Sequence, residues 1–199
     1  MIFDLFKKKI VPADKTAAAP DPELRAFLDH HAGTVLHNGM YRVVTAETRK
    51  MGQEFIREAF AHRVGRVEVF GYSWLGNMFC LDSERIEGGA RGVLLLEPGT
   101  GEELEIPANL TTFHEVELVQ EPEAALAKEL FDGWTALGGP APGVGQCIGY
   151  KKPLFLGGAD EVGNLEVSDL DVYWTISAQL IRQVRGLPKG TKINRVTIS

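Results

Sequence analysis

The stretch from Cys147 to Gly186 constrains the fold of this chain more than any other. Within it, Leu170, Tyr173, Trp174, Ser177, Leu180, Ile181 and Val184 recur at spacings of three and four, which predicts a helix with one buried stripe. Ser168 or Asp169 can cap its start, because a short side-chain oxygen satisfies an orphan backbone N–H. Gly186 and Pro188 stop it, the first by tolerating a left-handed residue and the second by being unable to continue a helix. Upstream, Lys151-Lys152-Pro153 and Gly157-Gly158 bracket the apolar run Leu154-Phe155-Leu156, expected to be a short buried segment ending at a bend. Cys147 and its neighbours before that run read as a strand.

The rest of the chain supplies what this helix must cover. Residues 1–22 hold a small apolar group, Ile2–Phe6, three lysines, and a stretch rich in Ala, Pro and Asp, and read as an arm or linker. Residues 23–199 are expected to form a single domain. A helix opens at Pro22 and runs through Leu24, Phe27 and Leu28 to Gly33. Gly39–Thr45 reads as a strand, and Thr45 caps a helix to His62 with Met51, Phe55, Ile56, Ala59 and Phe60 on one face. Gly52 weakens that helix by about 1 kcal/mol relative to Ala, so a close contact is expected there. Arg66–Leu81 reads as a hairpin turning at Gly76-Asn77, and Gly92–Ile106 as a second one turning at Pro98–Gly101. Leu110–Leu118 reads as a short helix, Pro122–Leu137 as a continuous one, Gly138–Gly145 as a loop, and Thr191–Ile198 as an edge strand. Hairpins flanked by helices, without strand–helix alternation, define an α+β fold with a mainly antiparallel sheet packed against several amphipathic helices.

Composition narrows the function. The 199 residues are 44% hydrophobic and 24% charged, the balance of an ordinary globular protein. A net charge of −6 disfavours direct nucleic-acid binding, which depends on Lys and Arg neutralising phosphates. No apolar run approaches the ~20 residues that span a bilayer, and Met1–Lys9 lacks the layout of a secretory signal, so no membrane partner and a cytoplasmic location are expected. Cys80 and Cys147 match no metal spacing and read as free buried thiols. His30, His31, His37, His62 and His114 form no H-x-x-x-H pair. Gly157-Gly158 and Gly138–Gly145 lack the Gly-Lys-Ser/Thr and following helix of a phosphate loop, so turn chemistry accounts for them. No catalytic residue, metal site or cofactor is expected.

The polar feature left over is acidic. Asp160, Glu161, Asn164, Glu166, Asp169 and Asp171 fall within twelve positions, without EF-hand spacing. The plain reading is a solvated loop with a helix cap. The functional one is a negative surface for a basic protein partner, with Asp160, Glu161, Asn164 and Glu166 as contacts and Trp74 and Tyr72 as aromatic anchors. Core packing is the competing reading for both aromatics.

With these residues in view, the chain resembles bacterial proteins related to the SUKH superfamily, in particular the type VI secretion immunity domain paired with secreted DNase toxins. The carrying motifs are Phe70-Gly71-Tyr72-x-Trp74-Leu75-Gly76, Cys147-x-Gly149-Tyr150-Lys151-x-Pro153-Leu154-Phe155-Leu156-Gly157-Gly158, and Asn164-Leu165-Glu166-x-x-Asp169-x-x-Val172-Tyr173-Trp174. The likeness spans roughly Met40 to Arg185. It implies a non-catalytic immunity protein that binds and blocks a protein toxin, and it carries over no catalytic residues. Two other readings fit the residues: a regulatory or scaffold module binding a host protein, and a small hydrolase using the acidic loop.

Overall fold

Apolar runs and tight turns produce a six-stranded antiparallel meander in which every strand pairs with its neighbour in sequence. The computed structural model describes residues 21–188 with Thr191, Thr197 and Ile198. The expected arm before Asp21, and most of the expected edge strand Thr191–Ile198, lie outside the described residues. The strands are β1 (Val35–Leu36), β2 (Tyr41–Val43), β3 (Val67–Ser73), β4 (Met78–Glu87), β5 (Ala90–Leu96) and β6 (Glu103–Asn109). Both expected hairpins are present: Tyr72 pairs with Met78 across the Gly76-Asn77 turn, and Leu96 with Glu103 across Pro98–Gly101. A third hairpin joins β4 to β5 through Gly88 and Gly89, both at positive φ.

Each face of this sheet is covered by helices. On one face, Tyr41, Phe70, Phe79, Leu81, Val93 and Leu95 meet Leu24 of α1 (Pro22–His31), Phe113, Leu118, Leu126 and Phe131. On the other, Val69, Met78, Cys80, Leu94 and Leu96 meet α2 (Ala46–Ala59) and the long C-terminal helix α7 (Leu170–Val184). That helix carries the predicted stripe: Leu170, Tyr173, Trp174, Ser177, Leu180 and Ile181 are all buried, and the Asp169 carboxylate caps it by accepting from the N–H groups of Asp171 and Val172. Thr45 caps α2, in a reciprocal pair with Thr48. Gly52 sits where α2 crosses β3, and a Cβ there would lie 3.1 Å from Val69. The cost of a mid-helix glycine is thus offset by close helix–sheet approach.

Three regions differ from the sequence reading. The segment after β6 is α3 (Leu110–Thr112), a π-turn over Phe113–Glu117, and α4 (Leu118–Gln120). The expected single helix from Pro122 is broken at Ala127, whose φ of 51° and ψ of 54° separate α5 (Pro122–Leu126) from α6 (Lys128–Ala136). Phe131 of α6 thereby stacks edge-on against Trp74, with ring centres 5.1 Å apart. Finally, the predicted strand β7 (Gln146–Tyr150) has a partner in β8 (Leu165–Asp169), a stretch expected to be loop. Leu154–Leu156 is a single 3-10 turn, half-buried rather than buried.

The β7–β8 hairpin closes one end of the sheet. The N–H of Ile148 donates to the Trp74 carbonyl at 2.7 Å, and that of Leu154 to the Gly99 carbonyl at 2.8 Å. Those two bonds fix the acidic segment beside the Gly76-Asn77 and Pro98–Gly101 turns.

Candidate partner-binding surface

The bend at Gly157-Gly158 begins the acidic segment, and each glycine is required for its own reason. Gly157 has a φ of 83°, a left-handed conformation that other L residues adopt at a cost. A Cβ on Gly158 would lie 1.9 Å from the Lys152 carbonyl oxygen. Asn164 then ties the loop shut. Its amide donates to the carbonyls of Lys152 and Ala159, both at 2.9 Å, while its oxygen accepts from the Lys152 N–H at 3.1 Å. Its amide and oxygen are thus engaged within the loop, so Asn164 sets the loop's shape.

Asp160, Glu161 and Glu166 are exposed, and among the described residues none of them forms an ion pair. From Gly157 to Asp171 the chain carries five carboxylates and no Lys or Arg. Lys151 and Lys152 do flank the loop, and Lys151 Nζ donates to the Gly163 carbonyl at 3.0 Å, so cations lie nearer than the spacing implied. Asp160 is held in place: the Tyr150 hydroxyl donates to its Oδ1 at 2.7 Å. Burial and this carboxylate push the Tyr150 hydroxyl well above the ordinary tyrosine range, so it remains a donor.

Asp160 and Tyr150 form one wall of a depression of about 380 Å³. The β5–β6 turn supplies Glu97 and Thr100, and the α5–α6 break supplies Glu123 and Glu129. Glu97 is half-buried. Burial raises its carboxyl above the usual range; the Thr100 hydroxyl, donating at 2.8 Å, acts against this, and the charges of Glu102 and Asp160 add to it. The Glu123 carboxylate accepts from the Glu129 N–H at 2.7 Å, capping the second helix after the break. Sequence reasoning missed Glu97, Glu123 and Tyr150, since three separate segments bring them together. The one local signal was a glutamate beside a Pro-Gly turn.

Trp74 and Tyr72 are not on this surface. Trp74 is 1% exposed and its indole N–H donates to the Leu126 carbonyl at 2.6 Å; Tyr72 is 4% exposed, with its ring edge-on to Trp174. Both expected anchors are interior residues, because β7–β8 and α6 cover the turn that the sequence alone left open to solvent.

Other polar groups serve the frame. Asp82 is wholly buried; Arg66 grips both of its oxygens at 2.7 and 2.8 Å, and Arg63 adds a contact at 3.2 Å. Burial opposes its ionisation, but the Arg66 bonds, the Glu84 N–H and both arginine charges outweigh it and hold the carboxyl below the usual range. His114 Nδ1–H donates to the Leu110 carbonyl, leaving Nε2 to accept from the buried Tyr41 hydroxyl at 2.9 Å. Burial lowers the His114 pKa, keeping the ring neutral. Cys80 and Cys147 are free and buried, and burial pushes both thiols far up. Among the described residues no group of three or more His, Cys, Asp or Glu is placed to hold a metal ion, and no helix is long and apolar enough to cross a membrane.

The fold is thus α+β, with the acidic hairpin segment presented at one end of an antiparallel sheet. Residues 116–181 match the family of the type VI secretion immunity protein Tdi1, C-terminal domain. The resemblance to a type VI secretion immunity domain therefore holds over α4 to α7, including the Cys147–Gly158 and Asn164–Trp174 motifs; the Phe70–Gly76 motif lies outside the matched segment. No curated protein matches the chain. Among solved structures, the chain is similar to Atu4351 from Agrobacterium tumefaciens at 14% identity, over 79% of this chain and 74% of that one, with a TM-score of 0.49.

Proposed function

We propose that this chain is a non-catalytic immunity protein, which neutralises a nuclease-type bacterial toxin in the cytoplasm by binding it directly. The observation that carries the reading is the match of residues 116–181 to the type VI immunity family. It takes residues 23–199 as one binding domain, in keeping with a six-stranded sheet that both helical layers cover.

Chemistry supports a surface within the matched segment. A nuclease is basic where it grips phosphates, and carboxylates left unpaired in water project a negative potential toward such a surface. Asp160 and Glu161 supply that potential from a loop that Asn164 and the Tyr150–Asp160 bond hold in shape, and Glu166 supplies it from the adjoining strand β8. Charges of this kind steer encounter and set the association rate more than the final affinity.

The test uses the purified chain and candidate secreted nuclease toxins from the same genome. The chain should form a stoichiometric complex and stop DNA cleavage. The triple variant Asp160→Asn, Glu161→Gln, Glu166→Gln should associate about ten-fold more slowly at low salt and show a weaker salt dependence. Cleavage that continues under an excess of folded protein sinks the immunity reading, whereas an unchanged association rate sinks only the acidic surface.

A further inference from the structure

Among the described residues, Arg42 is a buried charge without a carboxylate partner. It lies on β2 opposite Tyr72 of β3, so both side chains point to the same face of the sheet. Arg42 is only 9% exposed, yet among the described residues no carboxylate pairs with it. One of its terminal nitrogens donates to the Pro142 carbonyl, and its Nε has no partner at all. Burying a guanidinium without a counter-charge is costly, and the cost persists only where something else compensates. The other buried arginine nitrogens without partners belong to Arg49 and Arg91, and both of those residues are already paired with Glu68. Arg42 has no such pairing.

Arg42 and Tyr72 line a cavity of about 390 Å³ between the starts of α2 and α7, within the range of small-ligand sites. Tyr72 Oη makes no hydrogen bond to a described residue, so a second donor is left over beside the first. Thr45 and Thr48 bring the N-terminus of the 14-residue helix α2 to the same cavity, where the backbone dipole favours negative charge. The outer wall has the opposite character: Glu47, Asp169 and Asp171 line it and are exposed. A bare anion is repelled there, while hydroxyl or amine groups on the remainder of a ligand find acceptors.

We propose that this cavity binds a small molecule bearing one carboxylate or phosphate group, which Arg42 and Tyr72 receive, and hydrogen-bond donors that face Glu47, Asp169 and Asp171. Arg suits the role because its planar fork matches both anions. The cavity takes in Asp169 and Asp171 at the end of the acidic segment but none of Asp160, Glu161 and Glu166, and the proposal does not depend on the toxin reading.

Calorimetric titration of the full chain at constant ionic strength tests it, with inorganic phosphate, adenosine monophosphate, serine and uncharged adenosine as probes. A saturable signal with serine but not the phosphates assigns a carboxylate ligand, and the reverse assigns a phosphate one. Adenosine should give none. Tyr72→Phe should weaken binding by roughly ten-fold to a hundred-fold while leaving the thermal midpoint nearly intact, since it removes one hydrogen bond to a charged group and no bond within the protein. Arg42→Gln should abolish binding, and Asp160→Asn should leave it unchanged; if Arg42→Gln does not fold, Tyr72→Phe decides. The proposal is overturned by silence from serine and both phosphates at millimolar concentration, or by equal binding in parent and Tyr72→Phe. It is equally overturned if the small anions are silent and Arg42→Gln instead loses the toxin complex, because Arg42 would then receive an acidic side chain of that partner.

Discussion

At Glu97, burial and the nearby charges of Glu102 and Asp160 oppose ionisation, while the Thr100 hydroxyl favours it, and opposition prevails. A carboxyl whose folded pKa lies above its unfolded one binds its proton more tightly in the folded state. Its stabilising contribution is complete below the unfolded pKa, near 4.3 for glutamate, and is lost as pH rises through the folded value. Glu97→Gln keeps the shape and removes the charge. The variant should therefore exceed the parent in denaturant midpoint at pH 7, and the gain should vanish once pH falls below the ordinary glutamate range. An advantage that is the same at both pH values would show that Glu97 is no more strained than a surface carboxylate. Asn164 belongs to the same surface but acts differently: all of its polar atoms face its own loop, so its contribution is to geometry.

Among the elements, α7 closes one of the two cores, and Leu180 is 5% exposed within its buried stripe. Leu180→Ala should lower stability by about 2–5 kcal/mol, through lost transfer energy and the cavity left behind. Equilibrium unfolding checks this, and an unchanged midpoint would mean that the stripe is loosely packed. This helix was legible from sequence because its period, cap and stop all agree. Its neighbour β8 was not: only Leu165 of its five residues is buried, so no alternation marks it, and it pairs with β7 across the bend, Val167 facing Ile148 at the centre. The break at Ala127 was also hidden, since neither Gly nor Pro announces it. Trp74 was misplaced for a related reason, because the elements that cover it, β7 and α6, lie far along the chain. Asp160, Glu161 and Glu166 were legible as exposed charge, whereas the Glu97–Tyr150–Asp160 grouping required the tertiary fold.

Across the described residues a six-stranded sheet carries a helical layer on each side, with the β7–β8 hairpin at one end, and β3, β5 and the Met78–Asp82 half of β4 are buried on both faces. Their amides should be the slowest to exchange with deuterated solvent, approaching the free energy of global unfolding, while β1 and the Gly138–Gly145 loop exchange by local opening. Mass spectrometry of labelled peptides resolves the order. Protection highest in α1 would show instead that the sheet opens before its edges.

Consecutive strand pairing makes most of the sheet local in sequence, and local contacts form quickly. The second helical layer has the opposite character: α2 ends at Ala59, and the helix that packs beside it starts at Leu170. During synthesis the meander emerges and pairs first. Val69, Met78, Cys80 and Leu94 then form a half-covered apolar face that waits for the last part of the chain. A ribosome that stalls or releases early, before Val184 is made, thus leaves behind a folded sheet with an open greasy side, prone to stick to its own copies. The acidic segment, which leads directly into α7, is accordingly held in its final position only once that helix has been made and has docked beside α2.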